Sequence, residues 1–230
     1  MSRSVIKETA EEYEKKKQHY QDLSVASAYD DIRFLKPSDK RRNERKLTAV
    51  QKAITTANAM GTKVRTALDI PCGTGRLIPL FKNNGIIFVG ADLSAEMMQV
   101  SLSRSSKTDL MKGMIRCDAE HLPFRDNSVD SIFSIRFMFH VPEPVRLRIL
   151  VEMGRVSRRW VIIDYRHRYT FKYWSKKILG LLRIAGPPAY RFSADDLQAE
   201  LNSAGLEVVK IFPTLRLFSD KWVVLGQKSR

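Results

Sequence analysis

"LDIPCGTGRL", residues 68–77, decides how this 230-residue chain is read. An apolar strand end runs into Gly73 and Gly75, the arrangement that lets a backbone approach a ligand closely. Pro71 stands where loops of this kind usually place their first glycine. A proline fixes φ near −65° and can stiffen a turn. The loop must therefore begin its turn differently from the common form.

Outward from this loop, short apolar runs alternate with amphipathic helices. "VRTALDI" (64–70) reads as a strand and "GRLIPLFKNN" (75–84) as a helix closed by Gly85. Pro79 is tolerable in that helix only near its first turn. "IIFVGAD" (86–92) is a second strand, followed by a helix over 94–105 that Ser94 can cap. Further strands are expected at 113–118, 129–135 and 160–165, with a helix at 143–157 between the last two. This alternation implies βαβ crossovers and a parallel sheet. A helix capped by Ser193 follows, then "LEVVKIF" (206–212) and "KWVVLGQK" (221–228), which suit a closing antiparallel ribbon. The fold class expected is α/β, a doubly wound, Rossmann-like, mostly parallel seven-stranded sheet with helices on both faces.

The length suits one sizeable α/β domain spanning 1–230. Its parts are a helical cap (1–62), a cofactor-binding core (63–165), a basic amphipathic insert (166–190) and a C-terminal helix with closing strands (191–230). Within the cap, 7–20 and about 39–60 read as helices, the second carrying Leu47, Val50, Ile54 and Ala57 at helical spacing. The start of the chain lacks the apolar stretch of a signal peptide, and no apolar run reaches membrane-spanning length. The expected location is the cytoplasm, with peripheral membrane attachment as an alternative. Two cysteines, Cys72 and Cys117, support neither a disulfide framework nor a metal site. Forty Lys+Arg against 25 Asp+Glu give a formal charge of +15, which favours an anionic partner or a basic solvated surface.

Three ligand classes use a strand–glycine loop–helix. A P-loop requires a lysine and a hydroxyl residue after its last glycine, whereas Arg76 and Leu77 follow Gly75. A dinucleotide fingerprint requires a third glycine, absent here. The third class is S-adenosylmethionine. "LDIPCGTGRL", "GADLSAEMM" (90–98) and "CDAEHLPFRDNSVDSIFSIRFMFHV" (117–141), in this order and spacing, resemble the class I S-adenosylmethionine-dependent methyltransferases. The nearest resemblance is to the branch containing the ubiquinone and menaquinone biosynthesis methyltransferases, clear over about 64–165 and loose beyond. It implies a cofactor site in which Asp69 contacts the methionine moiety and Gly73 and Gly75 leave room for the ligand. The following helix N-terminus would face the cofactor's carboxylate. Asp92 would accept the ribose hydroxyls, Leu93 would pack on adenine, and Asp118 with Ala119 would meet the adenine amino edge. Taken singly, Asp92 and Asp118 could equally be a helix cap or a solvated loop acid. The implied cofactor is S-adenosyl-L-methionine, leaving S-adenosyl-L-homocysteine, with no metal. Cys72 is expected to pack.

The acceptor side is less specified. His140, just past the fourth strand, is the candidate base, against the alternative of a structural histidine. Arg136 can meet an anionic acceptor or stay solvated. Tyr20 and Tyr29 lie where this family folds an N-terminal segment over the pocket, and ordinary packing serves them equally. From Arg155 to Arg183 there are nine Lys/Arg against one acid, Asp164, with Phe171, Trp174, Ile178 and Leu181 at helical spacing. Such an insert can lid a pocket for an apolar acceptor, with Trp174 lining it, lie on an anionic membrane surface, or face RNA. The expected enzyme methylates a small, apolar or lipid-like acceptor. The alternatives are an RNA methyltransferase and a catalytically silent protein that keeps the fold. No stable protein partner is inferable.

Overall fold

The computed structural model describes residues 36–105, 108–168, 191–215 and 221–229, with short N-terminal pieces at 13–15, 18–19, 21, 25–26 and 28–29. Of the expected helix at 7–20, residues 13–15 and 18–19 are described and helical. Tyr20, Trp174 and the expected amphipathic helix of the insert lie outside the described residues.

The described elements are α1 (Pro37–Ala59), β1 (Thr66–Asp69), α2 (Ile78–Asn84), β2 (Ile87–Asp92), α3 (Ala95–Ser105), β3 (Met111–Arg116), β4 (Val129–Ser134), α4 (Glu143–Val156), β5 (Ser157–Arg166), α5 (Ala194–Ser203), β6 (Leu206–Pro213) and β7 (Lys221–Lys228). The seven strands form one sheet in the order β3-β2-β1-β4-β5-β7-β6. β1 to β5 pair in parallel, and β7 runs antiparallel between β5 and β6. The chain reverses its direction of winding between β1 and β4, which opens a crevice at their carboxyl ends.

Alternation along the strands builds two cores. Val161, Ile163 and Tyr165 of β5 face one side with Ile149, Leu150 and Met153 of α4 and Leu197 and Leu201 of α5. Trp160 and Ile162 face the other, with Val50, Ala53 and Ile54 of α1 and Phe81 of α2. A strand covered on both faces has no polar side, which is why β5 reads as a continuous apolar run.

Boundaries shift where pairing overrides local pattern. α2 begins at Ile78, three residues later than the sequence suggests, and places Pro79 in its first turn, where no intrahelical N–H is lost. β3 lies two residues earlier than expected because its register with β2 runs from Phe88↔Met111 to Asp92↔Arg116. Asp118 therefore stands two residues beyond the strand end. Ser193 caps α5 as expected, in a capping box with Asp196. The ends of the insert are tied together: His167 bridges Phe192 and stacks on Trp222 at 4.6 Å.

Candidate cofactor and acceptor site

The opening loop leaves β1 through a cis Ile70–Pro71 peptide bond, the different start that Pro71 required. The Cys72 N–H then donates to Ala91 O at 2.8 Å, which ties the loop to β2. Gly73 and Gly75 both take positive φ, +51° and +76°. Their surroundings differ. A Cβ on Gly73 would meet nothing within 4 Å, and Gly73 lies on the wall of a cavity. A Cβ on Gly75 would come within 2.5 Å of Ser101 Oγ and 2.6 Å of Ile78 Cδ1. Gly75 is absent from the described cavity wall, so here it serves the approach of the loop to α3. The two glycines, expected together to leave room for a ligand, thus differ in what lies beside them. The helix N-terminus expected at Gly75 is likewise a turn: Gly75 N–H donates to Cys72 O and Ile78 N–H to Gly75 O.

The cavity collects Asp69, Gly73, Asp92, Leu93, Asp118 and Ala119 on one side. Ile135, Arg136, Phe137 and His140 come from the β4–α4 connection, and Tyr29, Lys46 and Leu47 from the N-terminal segment and α1. Asp69 ends β1 and is 3% exposed. Burial and the charge of Asp92 push its pKa well above the usual carboxylate range, with no offsetting hydrogen bond among the described residues. Asp92 ends β2, with one oxygen accepting the Gly73 N–H at 2.8 Å and the other the Ser94 N–H at 3.0 Å. Burial outweighs these bonds and raises its pKa as well. Each oxygen keeps a second lone pair for a ligand, so Asp92 both fastens the loop and presents an acceptor. Asp118 accepts the Glu120 N–H at 3.1 Å within its own turn while lining the cavity. Ser94 caps α3 through the Met97 N–H at 3.0 Å. The Cys72 thiol is pushed far up by burial, which makes it a packing group, and Cys117 is raised to about 11.

On the other side, Arg136 adopts φ +73°, and its backbone N–H donates to Asp164 Oδ1. His140 closes a 3-10 turn (Met138–His140), its ring 4.4 Å from that of Phe139. The Arg76 guanidinium lies 5.0 Å from the Tyr29 ring centroid. Three cavity groups escape sequence reasoning. Tyr13, 5% exposed, has its hydroxyl pKa raised by burial and then by Asp118 and Glu120. Asn43 and Lys46 come from α1. Lys46 is 3% exposed and ion-paired with the fully buried Asp164 of β5. A signal existed: Lys46 stands one turn before Val50 on the same stripe as Ile54 and Ala57.

A family model described as a methyltransferase domain matches residues 68–160. The chain is 30% identical over 216 residues to the ubiquinone/menaquinone biosynthesis C-methyltransferase UbiE of Cupriavidus necator, covering 82% of this chain and 84% of the relative. The chain belongs to the class I S-adenosylmethionine-dependent methyltransferases. The methyltransferase is also 30% identical over 155 residues to the demethylmenaquinone methyltransferase of Paenarthrobacter aurescens, covering 62% of this chain and 59% of the relative. Its fold matches that of magnesium protoporphyrin IX methyltransferase from Synechocystis, solved with bound S-adenosylhomocysteine, at a TM-score of 0.67 and 18% identity. That match covers 84% of the methyltransferase and 88% of the neighbour.

The methyltransferase uses S-adenosylmethionine, and its own residues fit that cofactor. Asp69 and Asp92 are buried acids lining the cavity, and burial raises the pKa of each. A ligand bearing a sulfonium and an ammonium would favour the charged form of an acid beside it. The open space beside Gly73 leaves room for such a ligand against the backbone.

Proposed function

We propose that this methyltransferase acts on a small, apolar aromatic acceptor of the reduced-quinone type. Asp69 would hold the methionine end of the cofactor, Asp92 the ribose, Leu93 the adenine face, and Asp118 with Ala119 the adenine amino edge. S-adenosylmethionine supplies an electrophilic methyl group and leaves as S-adenosylhomocysteine. The chain's part is to align the acceptor with that methyl, which lowers the barrier by restricting motion rather than by new chemistry. Ile135, Phe137 and Leu47 supply apolar wall and exclude water, and Tyr29 closes the side next to Arg76. His140, on the same wall, takes the proton that the acceptor gives up as it gains the methyl.

The observation that carries this reading is that one cavity is lined by three acids at or near strand ends (Asp69, Asp92 and Asp118) together with apolar and basic groups of α1 and the β4–α4 connection. It is supported by the relation over 82% of the chain to an enzyme named for quinone C-methylation. An apolar acceptor also has to be collected from a bilayer. Lys36, Lys40, Arg41, Arg42 and Arg45 are exposed on and just before α1, while Asn43, Lys46 and Leu47 of the same helix line the cavity. No helix among the described residues is long and apolar enough to cross a membrane. We therefore place the basic start of α1 against an anionic membrane surface.

The test is incubation with S-adenosylmethionine and either a prenylated hydroquinone in anionic vesicles or total tRNA, followed by mass spectrometry. Methylated hydroquinone is expected. Methyl incorporation into RNA, with none into the hydroquinone, overturns the reading in favour of RNA.

A further inference from the structure

The buried pair Lys46–Asp164 joins α1 to β5, with Lys46 in the wall of the cavity, and neither residue is among those assigned above to the cofactor. Asp164 is engaged at both oxygens, one accepting from the Lys46 ammonium and the other from the Arg136 backbone N–H. Lys46 is not fully used. An ammonium carries three N–H donors. Asp164 takes one, and the other two have no partner among the described residues. A purely structural buried ammonium would have its donors satisfied, since each unmet donor in a dry site costs free energy. Here the lysine is 3% exposed yet lines the cavity beside Arg76, Arg136 and His140. Phe139 lies below it, with its ring centroid 5.8 Å from Nζ.

We propose that Lys46, oriented by Asp164, is an acceptor-binding residue whose spare N–H donors hold a phenolic or enolic oxygen adjacent to the methylated carbon. This rests on the acceptor class proposed above and adds the group that selects it. The contact is hydrogen bonding alone, and no bond to Lys46 is made or broken. Charge-assisted donation to that oxygen favours its anionic form, which enriches electron density at the neighbouring carbon. Asp164 acts at one remove, as a positioning residue: it fixes both the lysine and the positive-φ turn at Arg136, so both basic groups keep their aim.

The experiment measures binding of two probes by calorimetry, in the presence of saturating S-adenosylhomocysteine. They are 1,4-naphthohydroquinone, kept reduced, and its dimethyl ether, which cannot offer an anionic oxygen. The wild type is expected to prefer the hydroquinone by about tenfold or more. In the double variant Lys46→Met/Asp164→Asn, which leaves no unpaired buried charge, the preference should fall to about threefold or less. Its affinity for S-adenosylhomocysteine should stay within about twofold of wild type, since neither residue is placed at the cofactor. A double variant that keeps the full preference overturns the Lys46 proposal and leaves the acceptor class standing. A wild type that binds neither probe overturns the acceptor class and the proposal with it. Should the variant not fold, ε-labelled lysine NMR on the wild type decides, since Lys46 is the only buried lysine among the described residues. One lysine resonance shifting with the hydroquinone and not with the ether supports the proposal; no such shift overturns it.

Discussion

The two glycines of the opening loop should respond to alanine in opposite ways, because their needs are physically different. At Gly75 an added Cβ meets Ser101 Oγ at 2.5 Å and Ile78 Cδ1 at 2.6 Å, with Ser101 Cα at 3.3 Å. Overpacking of this kind costs about 1–3 kcal/mol, and φ +76° adds about 1–2 kcal/mol for a residue with a Cβ. Gly75→Ala is therefore expected to lose about 2–5 kcal/mol of stability. At Gly73 the backbone cost at φ +51° is similar, but the Cβ meets no protein atom within 4 Å, so Gly73→Ala loses about 1–2 kcal/mol. For a chain of this size each kcal/mol moves Tm by about 2–4 °C. Thermal unfolding without ligand should thus show a drop of about 4–20 °C for Gly75→Ala and about 2–8 °C for Gly73→Ala. Calorimetry with S-adenosylhomocysteine should reverse the ranking. The new methyl at position 73 projects into the cofactor side of the cavity, whereas that at 75 points away into α3. An equal loss of stability in both variants, or a larger loss of cofactor affinity at 75 than at 73 in folded protein, would refute the division of roles.

Asp92→Asn keeps the shape but leaves one oxygen for two amide donors and a ligand; S-adenosylhomocysteine affinity should fall about tenfold or more by calorimetry. Burial raises Asp69 and Asp92, so the folded chain keeps protons that the unfolded chain releases from about pH 3.8 upward. Stability of the ligand-free protein from these two groups is complete below that pH and is lost as pH rises through the raised values. A cationic ligand lowers both pKa values again. Binding of S-adenosylmethionine should accordingly release protons, detectable as a dependence of the calorimetric heat on buffer ionisation, and more so than binding of the neutral thioether product. Proton uptake would contradict this. Lys46→Met alone leaves Asp164 buried without its cation and should cost about 3–5 kcal/mol in urea unfolding, whereas the double change with Asp164→Asn should cost far less. Ser193→Ala breaks the capping box of α5 and should cost about 1 kcal/mol by the same assay.

Much of the candidate site is legible from the sequence because the acids lining the cavity stand at or just beyond strand ends. Asp69 and Asp92 each terminate an apolar run, and period-2 alternation with parallel pairing brings successive strand ends to one edge of the sheet. The acceptor wall is less legible because it is assembled across elements distant in sequence. Lys46 and Asp164 are 118 residues apart, and Tyr13 reaches the cavity from a stretch whose composition is simply charged. Lys46 reads as one more basic residue of a basic helix until its place on the buried stripe is known.

The sequence by itself determined the α/β class, the parallel core, the glycine loop with its acidic strand ends, and the S-adenosylmethionine-dependent family. These depend on local periodicity and on residues close along the chain. Only the tertiary structure decided where β7 inserts, that Gly75 packs against α3 while Gly73 lines the cavity, and that a lysine of α1 lining that cavity meets an aspartate of β5. Those outcomes depend on which surfaces come into contact once two cores are packed on opposite faces of one sheet. Local pattern carries no record of that contact.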